Sequence, residues 1–86
     1  MAVYEILLSK AARKQLSTFP AFIDNKIIED ITALSVSPRP AGCKKLKGYH
    51  HSFRIRVGDY RIIYEIEDKI LRILVIAIGH RKDIYK

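Results

Sequence analysis

Apolar and basic residues alternate from Ser52 up to Gly58-Asp59, and the pattern resumes beyond it to Tyr64, so that the stretch reads S-F-R-I-R-V-G-D-Y-R-I-I-Y. A period of two marks a half-buried strand, and the Gly-Asp pair between two such runs predicts a hairpin with a two-residue loop. In that register Val57 faces Tyr60, Ile55 faces Ile62 and Phe53 faces Tyr64 on one side of the sheet. On the other side Arg56 lies opposite Arg61, and Arg54 lies opposite Ile63. A bulge shifting the register by one would take Arg61 away from Arg54 and Arg56.

Other periods organise the rest of the chain. Val3 to Leu8 is rich in β-favouring residues and predicts a first strand, with Ser9 as the N-cap of a following helix. Ala12, Leu16 and Phe19 recur at helical spacing, which predicts a first helix over residues 10–19. Pro20 breaks that run and starts a second helix, whose apolar stripe is Ile23, Ile27, Ile31 and Leu34. Ser37-Pro38-Arg39-Pro40 ends it, because a residue before proline is pushed out of the helical region. The two helices read as an antiparallel pair joined by a tight turn, their stripes forming core.

Residues 38–51 read as a long loop, punctuated by Pro and Gly, that carries Lys44, Lys45 and Lys47 around Leu46. After the hairpin, Glu67-Asp68-Lys69 forms a turn. Ile70–Ile78 is almost continuously apolar, which predicts a strand inside the sheet and covered on both faces. Gly79 ends it, and a short polar tail follows. The order βααβββ predicts an α+β fold, a two-helix hairpin packed on one face of a small, mainly antiparallel, twisted sheet. Residues 1–86 are expected to form one domain, without repeats.

An apolar fraction of 49% argues against disorder. No apolar run reaches the length of a membrane span, and the first residues lack a signal peptide's basic head and apolar body. The single cysteine, Cys43, excludes an internal disulfide framework and fits a reducing cytoplasm, the expected location. Charge changes the picture more. Residues 1–38 carry four basic and four acidic side chains, so residues 39–86 carry the whole net charge of +7. One basic face follows, with nucleic acid as first candidate partner, then an acidic protein, then a membrane surface.

Metal chemistry finds no standard ligand spacing: His50 and His51 are adjacent, His80 is distant and Cys43 stands alone. There is no glycine-rich phosphate loop and no G-x-S-x-G elbow. Cys43 paired with a histidine is conceivable as a nucleophile, yet nothing separates it from an inert thiol. No cofactor is expected. What remains is a basic surface edged by a histidine and tyrosines, since the tail is expected to bring His80, Arg81 and Tyr85 toward Arg54, Arg56 and Arg61. A metal-free ribonuclease needs a base for the 2′-OH, positive groups for the pentavalent phosphate and an acid for the 5′-oxygen. Arginine suits the phosphate, histidine either proton transfer, and tyrosine a stacked base. In the plain alternative, His80 merely ends a strand and Tyr85 packs its ring on the sheet.

The helical hairpin ending in Ser37-Pro38-Arg39, Leu46-Lys47-Gly48, the F-R-I-R-V-G-D-Y-R-I-I-Y hairpin and the closing G-H-R-K-D-I-Y together resemble the RelE/ParE superfamily, in its RelE branch. These are toxins of type II toxin–antitoxin pairs. The resemblance covers nearly the whole length. It implies an endoribonuclease that cuts messenger RNA in the ribosomal A site, and a cognate antitoxin that blocks it. Any contact with promoter DNA would then be indirect, through the antitoxin. By that resemblance Arg54 and Arg56 match the paired basic positions that place the RNA backbone, and Lys44, Lys45 and Lys47 extend the RNA-binding surface. Arg61 and Arg81 would stabilise the transition-state phosphate, with Arg81 a candidate acid, and Tyr85 would stack on the base at the cut. Some relatives have lysine where Arg54 and Arg56 stand, and an arginine hardly deprotonates, so His80 is a candidate base. The chain also stops one residue after Tyr85, without the extra C-terminal turn or helix of some members. ParE-like members of the same fold inhibit DNA gyrase without cutting RNA, and a degenerate member would only bind its antitoxin.

Overall fold

The computed structural model describes residues 3–46 and 51–80. The elements run β1 (Glu5–Leu8), α1 (Lys10–Leu16), α2 (Ala21–Ala33), β2 (Lys44–Lys45), β3 (Ser52–Val57), β4 (Tyr60–Glu67) and β5 (Arg72–His80), with a 3-10 turn at Asp68–Ile70. They form a five-stranded mixed sheet in the order β1-β5-β4-β3-β2, with β1 parallel to β5 and the other pairs antiparallel. The predicted order βααβββ holds for the long strands. What the sequence pattern missed is β2, a two-residue strand inside the stretch read as loop, pairing Lys44 with Arg54 and Lys45 with Phe53.

The hairpin register is the expected one throughout, from Ser52 opposite Glu65 to Val57 opposite Tyr60. Gly58 closes it with φ of +60° at the first loop position, where a glycine suits a type II′ turn. One face is therefore apolar. Ile55, Val57, Ile62, Tyr64, Ile66, Ile73, Val75 and Ile78 pack there against Ala12, Ile27, Ile31 and Leu34 of the helical half. The helices thus cover one face of β5 rather than two: Leu74 and Ala77, on the other side, stay half-buried among the described residues. β5 does lie inside the sheet, as its apolar run predicts, between β1 and β4.

Helix α1 ends earlier than residue 19 for a local reason. The Ser17 hydroxyl donates to the Lys14 carbonyl and the Thr18 hydroxyl to the Gln15 carbonyl, each at 2.7 Å, so side chains take acceptors that a continuing helix would use. At its start Ser9 does cap the helix, its Oγ accepting from the Ala12 N–H at 3.0 Å. The same hydroxyl donates to the Ile76 carbonyl at 2.7 Å, and Gln15 Oε1 accepts from the Ile78 N–H at 2.7 Å. The first of these bonds meets an irregularity of the ladder: the β4–β5 register slips between Ile63 and Tyr64, which pair with Ala77 and Val75 and leave Ile76 as a bulge. Side chains of the α1 cap and of α1 itself thus bond to backbone groups of β5.

At the far end of the sheet Asp68 joins three segments. Tyr4 donates its hydroxyl to Asp68 Oδ1 at 2.6 Å, and Arg39 Nη2 donates to Oδ2 at 2.8 Å. Nearby, the buried Tyr64 hydroxyl donates to the Pro38 carbonyl at 2.8 Å, fastening the segment that leads to β2. Burial, and then Cys43, push that hydroxyl well above the usual tyrosine range. No helix among the described residues is long and apolar enough to cross a membrane.

Two outcomes follow from this packing. Ile62 is fully buried and Ile28 is 45% exposed, so Ile62→Ala should cost about 2–5 kcal/mol in chemical denaturation, and Ile28→Ala no more than about 0.5 kcal/mol. The Arg39 guanidinium, and after it the Tyr4 hydroxyl, hold the Asp68 carboxyl below its ordinary range. A folded value below the unfolded one gives stabilisation that is present at neutral pH and lost as pH falls through the folded value. Thermal melts of wild type and Asp68→Asn should therefore differ at pH 7, begin to draw together as pH falls below about 4, and converge only below the lower folded value.

Candidate nucleic-acid interface

Alternation along β3 and β4 puts the basic side chains on the face away from the helices. Cross-strand partners share a face, so Arg56 and Arg61, directly opposed, lie on the same side as Arg54 and its β2 partner Lys44. Lys44 and Arg56 are exposed, while Arg54 and Arg61 are half-buried. On its other flank Arg61 pairs with Gly79, which has no side chain to cover the guanidinium. Directly opposed like charges repel across a sheet, so Arg56 and Arg61 concentrate positive potential at this point of the face.

Acids are present on the same face, but toward its other end. Glu65 lies beyond Ile63 on β4, opposite Ser52, and Glu5 pairs with Arg72 at 3.2 Å. The face is thus basic near the Gly58-Asp59 loop and mixed in charge toward the β4–β5 turn. Such a cluster can hold phosphate oxygens through guanidinium forks and stabilise charge that grows on a pentavalent phosphorus. It cannot take a proton, because arginine stays charged.

The expected set is not all assembled on this face. His80 pairs with Tyr60, and its ring meets the Tyr60 ring edge-on at 5.6 Å between centroids. Tyr60 in turn packs on Phe19 at 4.9 Å, so His80 stands on the helix side and not beside Arg54, Arg56 and Arg61. The cause is the bulge at Ile76, which adds one residue to β5 and exchanges the faces of everything after it. Lys45, opposite Phe53, also turns to the helix side and leaves Lys44 as the β2 contribution. Lys47, Arg81 and Tyr85 lie outside the described residues. So does His50.

Arg39 is spoken for elsewhere: Asp68 holds it and its guanidinium carbon sits 5.2 Å from the centre of the Phe53 ring. No group of three or more metal-ligating side chains occurs among the described residues. A feature that motif reading missed is a groove between α2 and the outer edge of β3. Its signal was in the sequence, since Phe22 and Val36 are apolar yet lie off the Ile23-Ile27-Ile31-Leu34 stripe, and both are exposed.

Comparison with known proteins agrees with this geometry. Residues 6–85 match the family described as the ParE toxin of the type II toxin–antitoxin system parDE. The chain is 36% identical over 85 residues to toxin RelE3 of Methanocaldococcus jannaschii, covering 94% of each chain. In structure it is similar to a chain of the RelBE2 toxin–antitoxin complex of Mycobacterium tuberculosis, with a TM-score of 0.83 at 28% identity over 96% of this chain and 97% of that one. It is equally similar to a chain of the archaeal RelE–RelB complex of Pyrococcus horikoshii, with a TM-score of 0.83 at 27% identity over 94% and 98%. The chain therefore belongs to the RelE/ParE superfamily of type II toxin–antitoxin toxins.

Proposed function

We propose that this toxin is a metal-independent endoribonuclease that cuts messenger RNA on the ribosome and so stops translation. The observation that carries the reading is the Lys44, Arg54, Arg56 and Arg61 cluster on one open sheet face, with Arg56 and Arg61 directly opposed. The relative named as a RelE toxin supports the same branch. In the proposed step the 2′-oxygen attacks the adjacent phosphorus, its proton leaves to a base, the bond from phosphorus to the 5′-oxygen breaks, and an acid protonates that oxygen. Arg54 and Arg56, with Lys44, hold the backbone. Arg61 and Arg81 neutralise the charge of the pentavalent phosphate, Arg81 doubles as the acid, and Tyr85 stacks on the base at the cut.

The base lies outside this cluster, because guanidinium groups do not accept the proton and His80 occupies the other face. A cognate antitoxin would restrain the protein, since structurally similar chains come from toxin–antitoxin complexes. Cytoplasmic location follows from the ribosomal target.

A second reading has its own support in the family matched, whose description names ParE toxins. In that reading the basic face docks on DNA gyrase and cuts nothing. One experiment separates the two. Purified protein is mixed with a messenger RNA, with and without programmed ribosomes, and the cuts are mapped. Cleavage should require ribosomes, and Arg61→Ala or Arg81→Ala should slow single-turnover cleavage by about 10²–10³-fold, the usual effect of removing one transition-state donor. A folded wild type that leaves RNA intact and inhibits gyrase supercoiling would establish the second reading instead.

A further inference from the structure

The arginine cluster holds no proton acceptor, and the register of the sheet sets one beside it. Arg54, Arg56 and Arg61 only donate, and so does Lys44. His80 stands on the helix side with Tyr60, and His51, one residue before Ser52, faces that side too by alternation. Glu65 is on the open face, opposite Ser52 of β3 and Leu74 of β5.

On β4 the open face reads Arg61, Ile63, Glu65. Ile63 is the midpoint, with Arg61 two residues to one side and Glu65 two residues to the other, each about 7 Å away along the strand. Directly across from Ile63 stand Arg54 on β3 and Ala77 on β5. Ile63 and Ala77 thus make a small apolar floor with a guanidinium at one end, a carboxylate at the other and a second guanidinium along one side. Arg54 is also the diagonal neighbour of Glu65, a separation of about 7–8 Å that long side chains span.

Glu65 differs from the other acids of this face. Arg72 holds Glu5 at 3.2 Å, and Glu67 is exposed and pairs with Arg72 in the ladder. Glu65 is half-buried, and among the described residues no ion pair or hydrogen bond engages its carboxylate. A carboxylate beside a phosphate-binding cluster repels the ligand, a cost that a surface made only for binding has no use for.

We propose that Glu65 is the general base that takes the 2′-OH proton. The proposal rests on the endoribonuclease reading. A phosphate seated over Ile63 and Ala77 lies between Arg54 and Arg61, and displacement at phosphorus needs the attacking and leaving oxygens roughly in line. The floor has that polarity: the 2′-oxygen attacks from the Glu65 end and the 5′-oxygen leaves at the Arg61 end. The 2′-OH proton passes to a Glu65 carboxylate oxygen as the 2′-oxygen bonds to phosphorus. The bond from phosphorus to the 5′-oxygen breaks, and that oxygen takes its proton from the acid, Arg81. A 2′,3′-cyclic phosphate and a 5′-hydroxyl result, and exchange with solvent restores both side chains. Arg54, within diagonal reach of Glu65 and directly beside the floor, offsets the repulsion between carboxylate and phosphate.

The test uses the full chain on programmed ribosomes, under single turnover. It compares a messenger RNA with the same RNA carrying a 2′-deoxynucleotide at the mapped cut, which binds but cannot react. Glu65→Gln keeps the shape and removes the acceptor, and should slow cleavage by about 10²–10⁴-fold, the range for a positioned base. Its affinity for the 2′-deoxy complex should not weaken, since the loss lies in the chemical step. Glu65→Asp keeps a carboxylate on a shorter stem and should cut at least about tenfold faster than Glu65→Gln. Asp59→Asn, at the exposed acid of the hairpin loop, should cut at the wild-type rate. Near-wild-type cleavage by Glu65→Gln, equal rates in the Gln and Asp variants, a large loss in Asp59→Asn, or weakened 2′-deoxy binding that accounts for the slower cleavage would each overturn the assignment. A wild type that leaves RNA intact sinks the endoribonuclease reading and this assignment with it; a wild type that cuts no faster than Glu65→Gln sinks the assignment alone.

Discussion

Closure of the hairpin between Val57 and Tyr60 decides the side on which each residue of β3 and β4 lies. From that pair outward, Ile55, Ile62, Tyr64 and Ile66 enter the core, while Arg54, Arg56 and Arg61 face away from it. A slip of one residue would send guanidinium groups into an apolar interior and isoleucines into water, a double cost that leaves one register. Both the core and the basic face are consequences of this single pairing.

Much of this was legible because period-two and period-3.6 patterns report burial directly. The hairpin pairs, the Ser9 cap and the central position of β5 could all be read from side-chain order. What was illegible depends on contacts between distant residues. β2 has two lysines and no pattern of its own; it exists because Arg54 and Phe53 offer it a partner. The bulge at Ile76 sits in I-L-R-I-L-V-I-A-I, where uniform apolar character hides any change of period. The Ile76 carbonyl is met by Ser9, more than sixty positions away in the chain. That unseen residue is why His80 was expected among the arginines and stands with Tyr60 instead.

Charge is sorted along the open face rather than spread over it. Lys44, Arg54, Arg56 and Arg61 crowd the end near the hairpin loop, whereas Glu65 and the Glu5–Arg72 pair occupy the rest. An approaching polyanion would be drawn toward one end and turned away from the other, which orients it before any contact forms. The Arg39–Asp68 pair removes a further cation from that field and commits it to holding the segment ahead of β2.

The place of β5 has a consequence for how the protein comes into being. Among the described residues it is the last strand in sequence and the one flanked by both β1 and β4, and its parallel pairing with β1 joins positions such as Ile6 and Ile73. Neither β1 nor α1 has its packing surface until those late residues leave the ribosome, although the β3–β4 hairpin can form beforehand from local contacts. Synthesis thus makes β1 and α1 wait for a strand more than sixty positions further along the chain before they can dock.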